Sequence, residues 1–200
     1  MNIQQFDEAI SKAMINLHGN KIVNEFLKAF TLLGEMGIIW IILVVGLLIY
    51  VGVKTKKVPV VLLCGALMLL FGWIFNDFCL KILVKRVRPY HNTEAFGDAF
   101  TALMDSLSYK YPSSYSFPSG HAFSSFNAAT TLTLYNKKFG WVALPLAFII
   151  AFSRIFLGAH YFTDVLTGMI LGTLFAVAGH FIGKGLLKTK KIGESKYATR

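Results

Sequence analysis

Two histidines and one aspartate have spacings that suit nucleophilic and acid–base chemistry. His160 and Asp164 are four residues apart, so on a helix the carboxylate can reach the imidazole. A carboxylate bonded to one ring nitrogen fixes the tautomer and leaves the other nitrogen free to attack. His121 lies in a separate segment and could protonate a leaving group. The three residues therefore predict a nucleophilic histidine with a second histidine as general acid.

Basic residues and a helix start near these histidines are typical of an anion site. Lys81 and Arg88 are seven residues apart, close to two helical turns, and can share a face. Arginine offers a planar fork that matches phosphate oxygens, and lysine offers a point charge; Arg154 adds a third cation. Ser119 and Gly120 open a predicted helix whose free N–H groups suit an anion, and glycine permits close approach. This set predicts phosphate binding.

Long apolar stretches must position these residues. Hydrophobic residues make up 55% of the 200-residue chain and charged residues 15%, which excludes an ordinary water-soluble domain. Four stretches approach or reach spanning length, and a more polar fifth suits a helix inside a bundle: 36–53, 58–76, 139–153, 165–183 and 121–135. Only helices satisfy their own backbone in lipid at this length. We therefore predict an all-α polytopic transmembrane bundle of five to six spans.

The remaining segments complete one membrane-embedded domain over residues 1–200. Residues 2–17 and 22–33 are amphipathic, which predicts helices at the interface or against the bundle. Residues 20–35 could instead form a short first span, and the pattern leaves both options open. The predicted order is an amphipathic region or short first span, two spans, a loop, three spans and a basic tail: 1–35, 36–88, 89–117, 118–183 and 184–200.

Lysine and arginine are distributed unequally between the two ends of the predicted bundle. With five spans, the turns at 54–57 and 137–138 and the tail from residue 184 share one side and carry eleven of them. This bias predicts a multi-pass plasma-membrane protein with a cytoplasmic C-terminus and an extracytoplasmic 89–117 loop and active site. The net charge of +10 clusters between apolar runs, so no nucleic-acid partner is expected.

Several charged residues allow a structural interpretation. Lys85 and Arg86 are expected to lie at the membrane interface with their charged ends in water. A single histidine–aspartate pair, or a Pro-Ser-Gly sequence, is weak evidence by itself. Because consecutive spans alternate in direction, however, six ionisable residues are expected at one membrane depth: Lys81, Arg88, His121, Arg154, His160 and Asp164. Charges within a membrane tend to mark function.

Three sequence patterns occur in order: Lys81-x6-Arg88-Pro89, Pro118-Ser119-Gly120-His121, and Ser153-Arg154-x5-His160-x3-Asp164. Together they resemble the three motifs of the phosphatidic acid phosphatase type 2 superfamily, and the compact chain is similar to its bacterial membrane members. The resemblance implies that His160 is the nucleophile, that Asp164 orients it, and that His121 is the acid and then the base. It also implies that no metal or other cofactor is needed and that the phosphate is bound by Lys81, Arg88, Ser119, Gly120 and Arg154.

The expected function is hydrolysis of a lipid phosphate in the membrane. The candidate reactions convert phosphatidylglycerophosphate to phosphatidylglycerol, or undecaprenyl diphosphate to the monophosphate, through a phosphohistidine; phosphatidate is a further candidate. The expected partners are the lipid phosphate substrate and membrane lipids. The alternative is a transporter or flippase for an anionic lipid, which basic residues at one depth would also suit. Transport, however, does not require a histidine–aspartate pair opposite a second histidine.

Overall fold

A computed structural model describes residues 2–15, 17–18, 20–107, 109–110 and 113–197 of the chain. Within these ranges the protein is helical and contains no strand, which confirms the predicted all-α class. The α-helices are α1 (Ile3–Ile15), α2 (Lys21–Leu33), α3 (Ile38–Thr55), α4 (Val60–Phe75), α5 (Lys81–Val84), α6 (Thr93–Ser106), α7 (Gly120–Tyr135), α8 (Lys137–Phe156) and α9 (Phe162–Tyr197). A π-helical segment, Asn76–Leu80, joins α4 to α5, and 3-10 turns lie at Glu35–Gly37 and Pro89–His91.

Four helical segments of the described chain are long and apolar enough to cross a bilayer. They are Ile38–Thr55, Val60–His91, Lys137–Phe156 and Phe162–Thr189. Large apolar side chains are exposed along them, among them Ile42, Leu67 and Leu174. A water-soluble protein rarely exposes so much continuous apolar surface. These helices therefore face lipid, and the protein is a multi-pass membrane protein.

Helix α7 is the more polar helix that the sequence predicted inside the bundle. It has 16 residues and packs against α3, α4, α8 and α9. Its buried side chains include the polar groups of Ser124, Ser125, Asn127 and Thr131. A single residue, Asn136, joins α7 to α8, so the two helices run antiparallel and α7 begins where α8 ends. Because protein surrounds α7, hydroxyl and amide groups are tolerated on it.

The two N-terminal helices pack at the end of the bundle where α7 begins. Helix α1 contacts α6, α8 and α9, and α2 contacts α8. Leu27 of α2 belongs to a buried cluster with Phe100, Met104 and Phe156. With 13 residues, α2 extends about 20 Å, which is shorter than the roughly 30 Å hydrocarbon core. Helices α1 and α2 therefore pack at one end of the bundle, and α2 is shorter than a straight membrane span.

Helices also occur in two segments that lie between or after the predicted spans. The 89–117 loop contains helix α6, which bends at Gly97, where φ is +73°. The basic tail continues α9 without a break as far as Tyr197. The side chains of Lys190, Lys191 and Lys196, and all of Arg200, lie outside the described residues.

Candidate active site

A cavity of about 180 Å³ lies where α4 and α8 end and α7 and α9 begin. Six of the eight predicted site residues line it: Lys81, Arg88, Gly120, His121, Arg154 and His160. They come from separate segments of the chain, which the alternating helix directions bring to one level. Ser119 and Asp164 are fully buried behind this lining. The cavity has room for a phosphate headgroup but is smaller than the 300–1,000 Å³ typical of sites for whole drug-sized ligands.

His160 is held in one orientation by two hydrogen bonds. Its Nδ1 lies 2.7 Å from the carbonyl oxygen of Ser116. A carbonyl can only accept, so Nδ1 carries the proton and Nε2 keeps its lone pair. Nη1 of Arg88 donates to Nε2 at 3.1 Å and also bonds the Ala159 carbonyl at 2.8 Å. This tautomer leaves Nε2 available as the attacking atom.

The link between Asp164 and His160 differs from the one that their spacing predicted. Helix α9 begins only at Phe162, so His160 lies before it and the helical i, i+4 relation does not hold. Oδ2 of Asp164 is 3.8 Å from Nδ1 of His160, beyond a hydrogen bond. That oxygen instead accepts from the Ser116 hydroxyl at 2.5 Å and from the Tyr161 N–H at 2.9 Å. Asp164 thus fixes Ser116, and the carbonyl of Ser116 contacts His160.

Arg86 lies within this network, contrary to the expectation that it faces water at the interface. It donates to Oδ1 of Asp164 and to Oδ2 of Asp7, both at 2.7 Å, and to the hydroxyl of Thr163 at 2.9 Å. Asp7 is fully buried and also accepts from the N–H of Thr163 at 3.0 Å. Lys85, the neighbouring cation, is exposed; its φ of +51° ends α5 and turns the two side chains apart.

Lys81 and Arg88 meet at the cavity without sharing a helical face. Helix α5 ends at Val84, and Arg88 has an extended backbone with φ −74° and ψ 153°. Lys81 pairs with Asp77 one turn earlier, in the π-helical segment. Arg88 also bonds the carbonyl oxygens of Ser114 and Tyr115, at 2.6 and 3.1 Å. Arg88 therefore ties the 114–115 segment to the segment that carries His160.

Arg154 is fully buried at the end of α8. Its Nη1 donates to the hydroxyls of Thr31 and Tyr109, at 2.5 and 2.7 Å. Its Nε and Nη2 have no hydrogen-bond partner among the described residues. Burial of an incompletely paired cation is costly, and an anion in the cavity would complete its bonding.

Ser119 and Gly120 form the start of α7 as predicted. The hydroxyl of Ser119 accepts from the N–H of Ala122 at 3.4 Å, which caps the helix, and Ser119 does not line the cavity. Gly120 does line it, close to the amine of Lys81. The hydroxyl of Ser119 thus serves the helix, and the cavity receives the N-terminal end of α7.

Two cavity residues, Glu35 and Asp77, were not singled out from the sequence. Oε2 of Glu35 lies 3.6 Å from Nε2 of His121. Glu35 lies between Gly34 and Gly37, immediately before a predicted span. An acidic residue between two glycines at this place was the sequence feature that could have indicated its role. Asp77 is one helical turn before Lys81, which was the signal for that pair.

The surroundings of His160 favour its neutral form. Burial holds the pKa of His160 well below its usual value, and the positive charges of Arg88, Arg154 and Lys81 lower it further. A neutral imidazole with Nδ1 protonated is the form in which Nε2 can attack phosphorus. Within the described ranges no three His, Cys, Asp or Glu side chains are grouped as ligands for a metal ion.

Comparisons with known proteins identify a family and several relatives. The family model of the PAP2 superfamily matches residues 59–184, which contain all eight predicted site residues. Phosphatidylglycerophosphatase B of Bacillus subtilis is 32% identical over 188 residues, covering 88% of this chain and 84% of that protein. A bacitracin transport permease protein, BcrC, of Bacillus licheniformis is 25% identical over 173 residues, covering 84% of this chain and 80% of that protein.

A solved structure has the same fold. The crystal structure of a transmembrane PAP2-type phosphatidylglycerolphosphate phosphatase from Bacillus subtilis superposes with a TM-score of 0.70 at 27% identity. The match covers 94% of this chain and 87% of the other. The match therefore extends beyond the residues 59–184 of the family model.

Proposed function

The chain belongs to the PAP2 superfamily, and a phosphatidylglycerophosphatase is among its relatives. On that premise we propose that it hydrolyses phosphatidylglycerophosphate, undecaprenyl diphosphate or both through a phosphohistidine. One observation carries the proposal. The unprotonated Nε2 of His160 shares a cavity with His121 and with Lys81, Arg88 and Arg154. A nucleophile, a proton donor and three phosphate-binding cations are the parts that this reaction needs.

The proposed reaction has two steps. Nε2 of His160 attacks phosphorus, the P–O bond to the lipid breaks, and the departing oxygen takes a proton from His121. His121 then removes a proton from water, the water oxygen attacks phosphorus, and the P–N bond breaks to release inorganic phosphate. When phosphate is bound, one of its oxygens accepts the hydrogen bond that Nη1 of Arg88 otherwise donates to Nε2 of His160.

The test of this mechanism is direct trapping of the intermediate. Purified protein mixed with lipid labelled in the reacting phosphate should acquire label that is stable in base and released by acid, as a phosphorus–nitrogen bond requires. His160→Ala should acquire none. Label that persists in His160→Ala would reject His160 as the nucleophile.

The cations supply positive charge where the transferring phosphoryl group carries negative charge. We therefore predict activity in excess chelator. Vanadate should inhibit, because it can adopt the five-coordinate geometry of the transferring phosphorus. Loss of activity on chelation that magnesium reverses would contradict the assignment of these side chains.

An apolar groove continues from the cavity between α3 and α4. It has a volume of about 420 Å³, and Gly37, Trp73 and Ser124 line both spaces. Its other walls are aliphatic side chains, including Val45 and Leu67. A phosphate held in the cavity would leave its lipid chain in this groove, where each buried methylene contributes about 0.8 kcal/mol. The groove supports a long-chain substrate.

Narrowing the groove tests its role. Leu67→Trp should raise KM for a long-chain lipid phosphate several-fold and leave hydrolysis of glycerol phosphate unchanged. Leu174→Trp is the matched control, because Leu174 is equally exposed to lipid but does not line the groove. Equal effects of the two substitutions would reject the groove as a binding site.

A comparison of lipid substrates tests which one the protein prefers. The resemblance to bacterial members favours phosphatidylglycerophosphate and undecaprenyl diphosphate over phosphatidate. All three should be compared for kcat/KM in one detergent. A phosphatidate value above both others would reverse the preference.

We also propose that the cavity opens away from the cytoplasm. Ala102, exposed on α6 near the site, and Lys56, exposed at the opposite end, provide matched positions for cysteine. With Cys64 and Cys79 replaced by serine, an impermeant thiol reagent should label Ala102→Cys but not Lys56→Cys in intact cells. The reverse pattern would invert the orientation.

A further inference from the structure

The 3-10 turn between α2 and α3 brings a carboxylate to His121. Oε2 of Glu35 lies 3.6 Å from Nε2 of His121, and both residues line the cavity. Nε2 of His121 has no hydrogen-bond partner within the described part of the chain. The carboxylate of Glu35 is therefore at ion-pair distance from this nitrogen. A small movement would form a hydrogen bond when the ring is protonated.

Two glycines hold this turn against α7. A Cβ on Gly34 would stand 2.9 Å from Cδ2 of His121 and 2.6 Å from Cγ2 of Ile150, closer than packed atoms allow. Gly37 has a φ of +68°, in the left-handed region that favours glycine. A larger residue at either position would displace Glu35 from His121. The backbone thus fixes the approach of the carboxylate to the ring.

A carboxylate is an unexpected neighbour for a phosphate site, because it repels the bound anion. Asp77, the other carboxylate that lines the cavity, is paired with Lys81. Glu35 faces a histidine instead. To act as an acid, His121 must first be protonated and positively charged. The positive charges of Lys81 and Arg154 in the same cavity disfavour this protonated form. The negative charge of the Glu35 carboxylate offsets their effect.

We propose that Glu35 is a positioning residue for the general acid: it orients the ring of His121 and stabilises its protonated form. Glu35 itself neither gains nor loses a proton, and the proton passes from His121 to the departing oxygen. The contact with His121 lowers the pKa of Glu35 against the opposing effect of partial burial, so the group is a carboxylate at neutral pH. Glu35 lies outside residues 59–184, the part matched by the family model.

This inference rests on the proposed role of His121 as acid, so the experiment tests both separately. Two substrates with the same chain length are compared: hexadecyl phosphate, whose alkoxide needs a proton, and a hexadecyl-substituted nitrophenyl phosphate, whose phenolate leaves without one. Because kcat/KM reports only steps up to departure of the lipid, the later hydrolysis of the intermediate does not enter.

Glu35→Gln should lower kcat/KM for hexadecyl phosphate about fivefold, the size expected for a half-exposed ion pair. The nitrophenyl ester should change by less than about twofold. Adding Glu35→Gln to His121→Ala should cause no further loss, because the two residues act as a unit. Glu25→Gln is the matched control; Glu25 is an exposed glutamate of α2 that pairs with Lys28 and does not line the cavity.

Each alternative result has a distinct meaning. Equal losses on the two substrates in Glu35→Gln, or no loss on either, would overturn the proposal while the role of His121 stands. Equal losses on the two substrates in His121→Ala would reject His121 as the acid, and the inference about Glu35 would fall with it.

The pH dependence of kcat/KM provides a further test, because a purely structural role of Glu35 would leave it unchanged. The charged or titratable groups around His121 are Glu35 on the turn, Arg154 from α8, Lys81 from α5 and neutral His160 from the α8–α9 connection. Arg88 and Asp77 line the same cavity. With Glu35 neutralised, the basic limb of kcat/KM for hexadecyl phosphate should move about 0.7 unit towards lower pH, the same factor of five on the pH scale. Glu35→Asp should restore part of the shift, and an unmoved limb would contradict the proposal.

Discussion

The two histidines of the site lie in contrasting surroundings. The side chain of His160 is 3% exposed, and that of Asp164 beside it is fully buried, within hydrogen bonds that Ser116, Arg86 and Arg88 provide. The side chain of His121 is 13% exposed, and its carboxylate neighbour Glu35 is 48% exposed. A nucleophile benefits from a fixed ring and one tautomer. An acid that must later accept a proton from water benefits from access, so the looser surroundings of His121 suit its proposed role.

The largest expected effect separates the two histidines themselves. His160→Ala should lower kcat/KM for hexadecyl phosphate by more than about 10⁴-fold, since loss of a covalent nucleophile typically costs that much or more. His121→Ala should cost about 10²–10⁴-fold, the range for a general acid. Steady-state phosphate release measures both. A smaller loss in His160→Ala than in His121→Ala would reverse the two roles.

The next effect tests how much the ion pairs of Arg86 near His160 contribute to the free energy of unfolding. Arg86→Gln leaves the buried carboxylates of Asp7 and Asp164 without their shared cation, which should cost about 3–5 kcal/mol of unfolding free energy. Unfolding in detergent measures this loss. Lys85→Gln is the matched control, because Lys85 is exposed and should change stability by less than about 0.5 kcal/mol. Equal stability of the two variants would show that the network does not hold α1 to the site.

A smaller effect tests whether Asp164 acts through Ser116. Ser116→Ala removes the hydroxyl that bonds Asp164 but keeps the carbonyl that fixes His160. Loss of one hydrogen bond to a charged group, about 1.5–3 kcal/mol, should lower kcat/KM by roughly one to two orders of magnitude. Asp164→Asn should cause a larger loss, because it also weakens the contacts with Arg86 and Tyr161. Full activity in Ser116→Ala would show that Asp164 reaches His160 by another route.

The smallest effect concerns pH. The pKa of His160 is lowered by burial, so the folded protein binds fewer protons than the unfolded chain below about pH 6.5. The stability contribution of the neutral ring is therefore complete above that value and is lost as pH falls towards the lowered folded pKa. Between pH 6.5 and 5.5, His160→Gln should remove about 1 kcal/mol of this pH dependence, measured as the change in Tm. An unchanged slope would show that His160 is not kept neutral by burial.

Much of the fold followed from local pattern. The apolar stretches predicted the lipid-facing helices, and the hydroxyl-rich stretch predicted the internal helix α7, because residues that contact lipid must be apolar along a whole helix. The loop and tail were less predictable. Helix α6 lies in a segment of mixed polarity, and α9 continues through a basic stretch that composition alone assigned to a tail.

The sequence predicted six residues that line the cavity, but it did not predict their hydrogen bonds. Spacing suggested that Asp164 bonds His160 directly and that Lys81 and Arg88 share a helical face. Both suggestions assumed continuous helix, but α9 begins after His160 and α5 ends before Arg88. The partners found instead are far away along the chain: 44 residues separate His160 from Ser116, and 79 separate Arg86 from Asp7.

The sequence by itself determined which charged residues reach one end of the bundle, because helix length and alternating direction set their depth in the membrane. Only the tertiary structure decided which of them meet. Arg86 and Lys85 are adjacent in sequence, yet one joins two buried carboxylates and the other is exposed. Glu35 reaches His121 because two glycines let a turn approach α7 closely. Such pairings depend on the packing of distant segments, where a difference of one ångström makes or breaks a hydrogen bond, and local spacing carries no information at that scale.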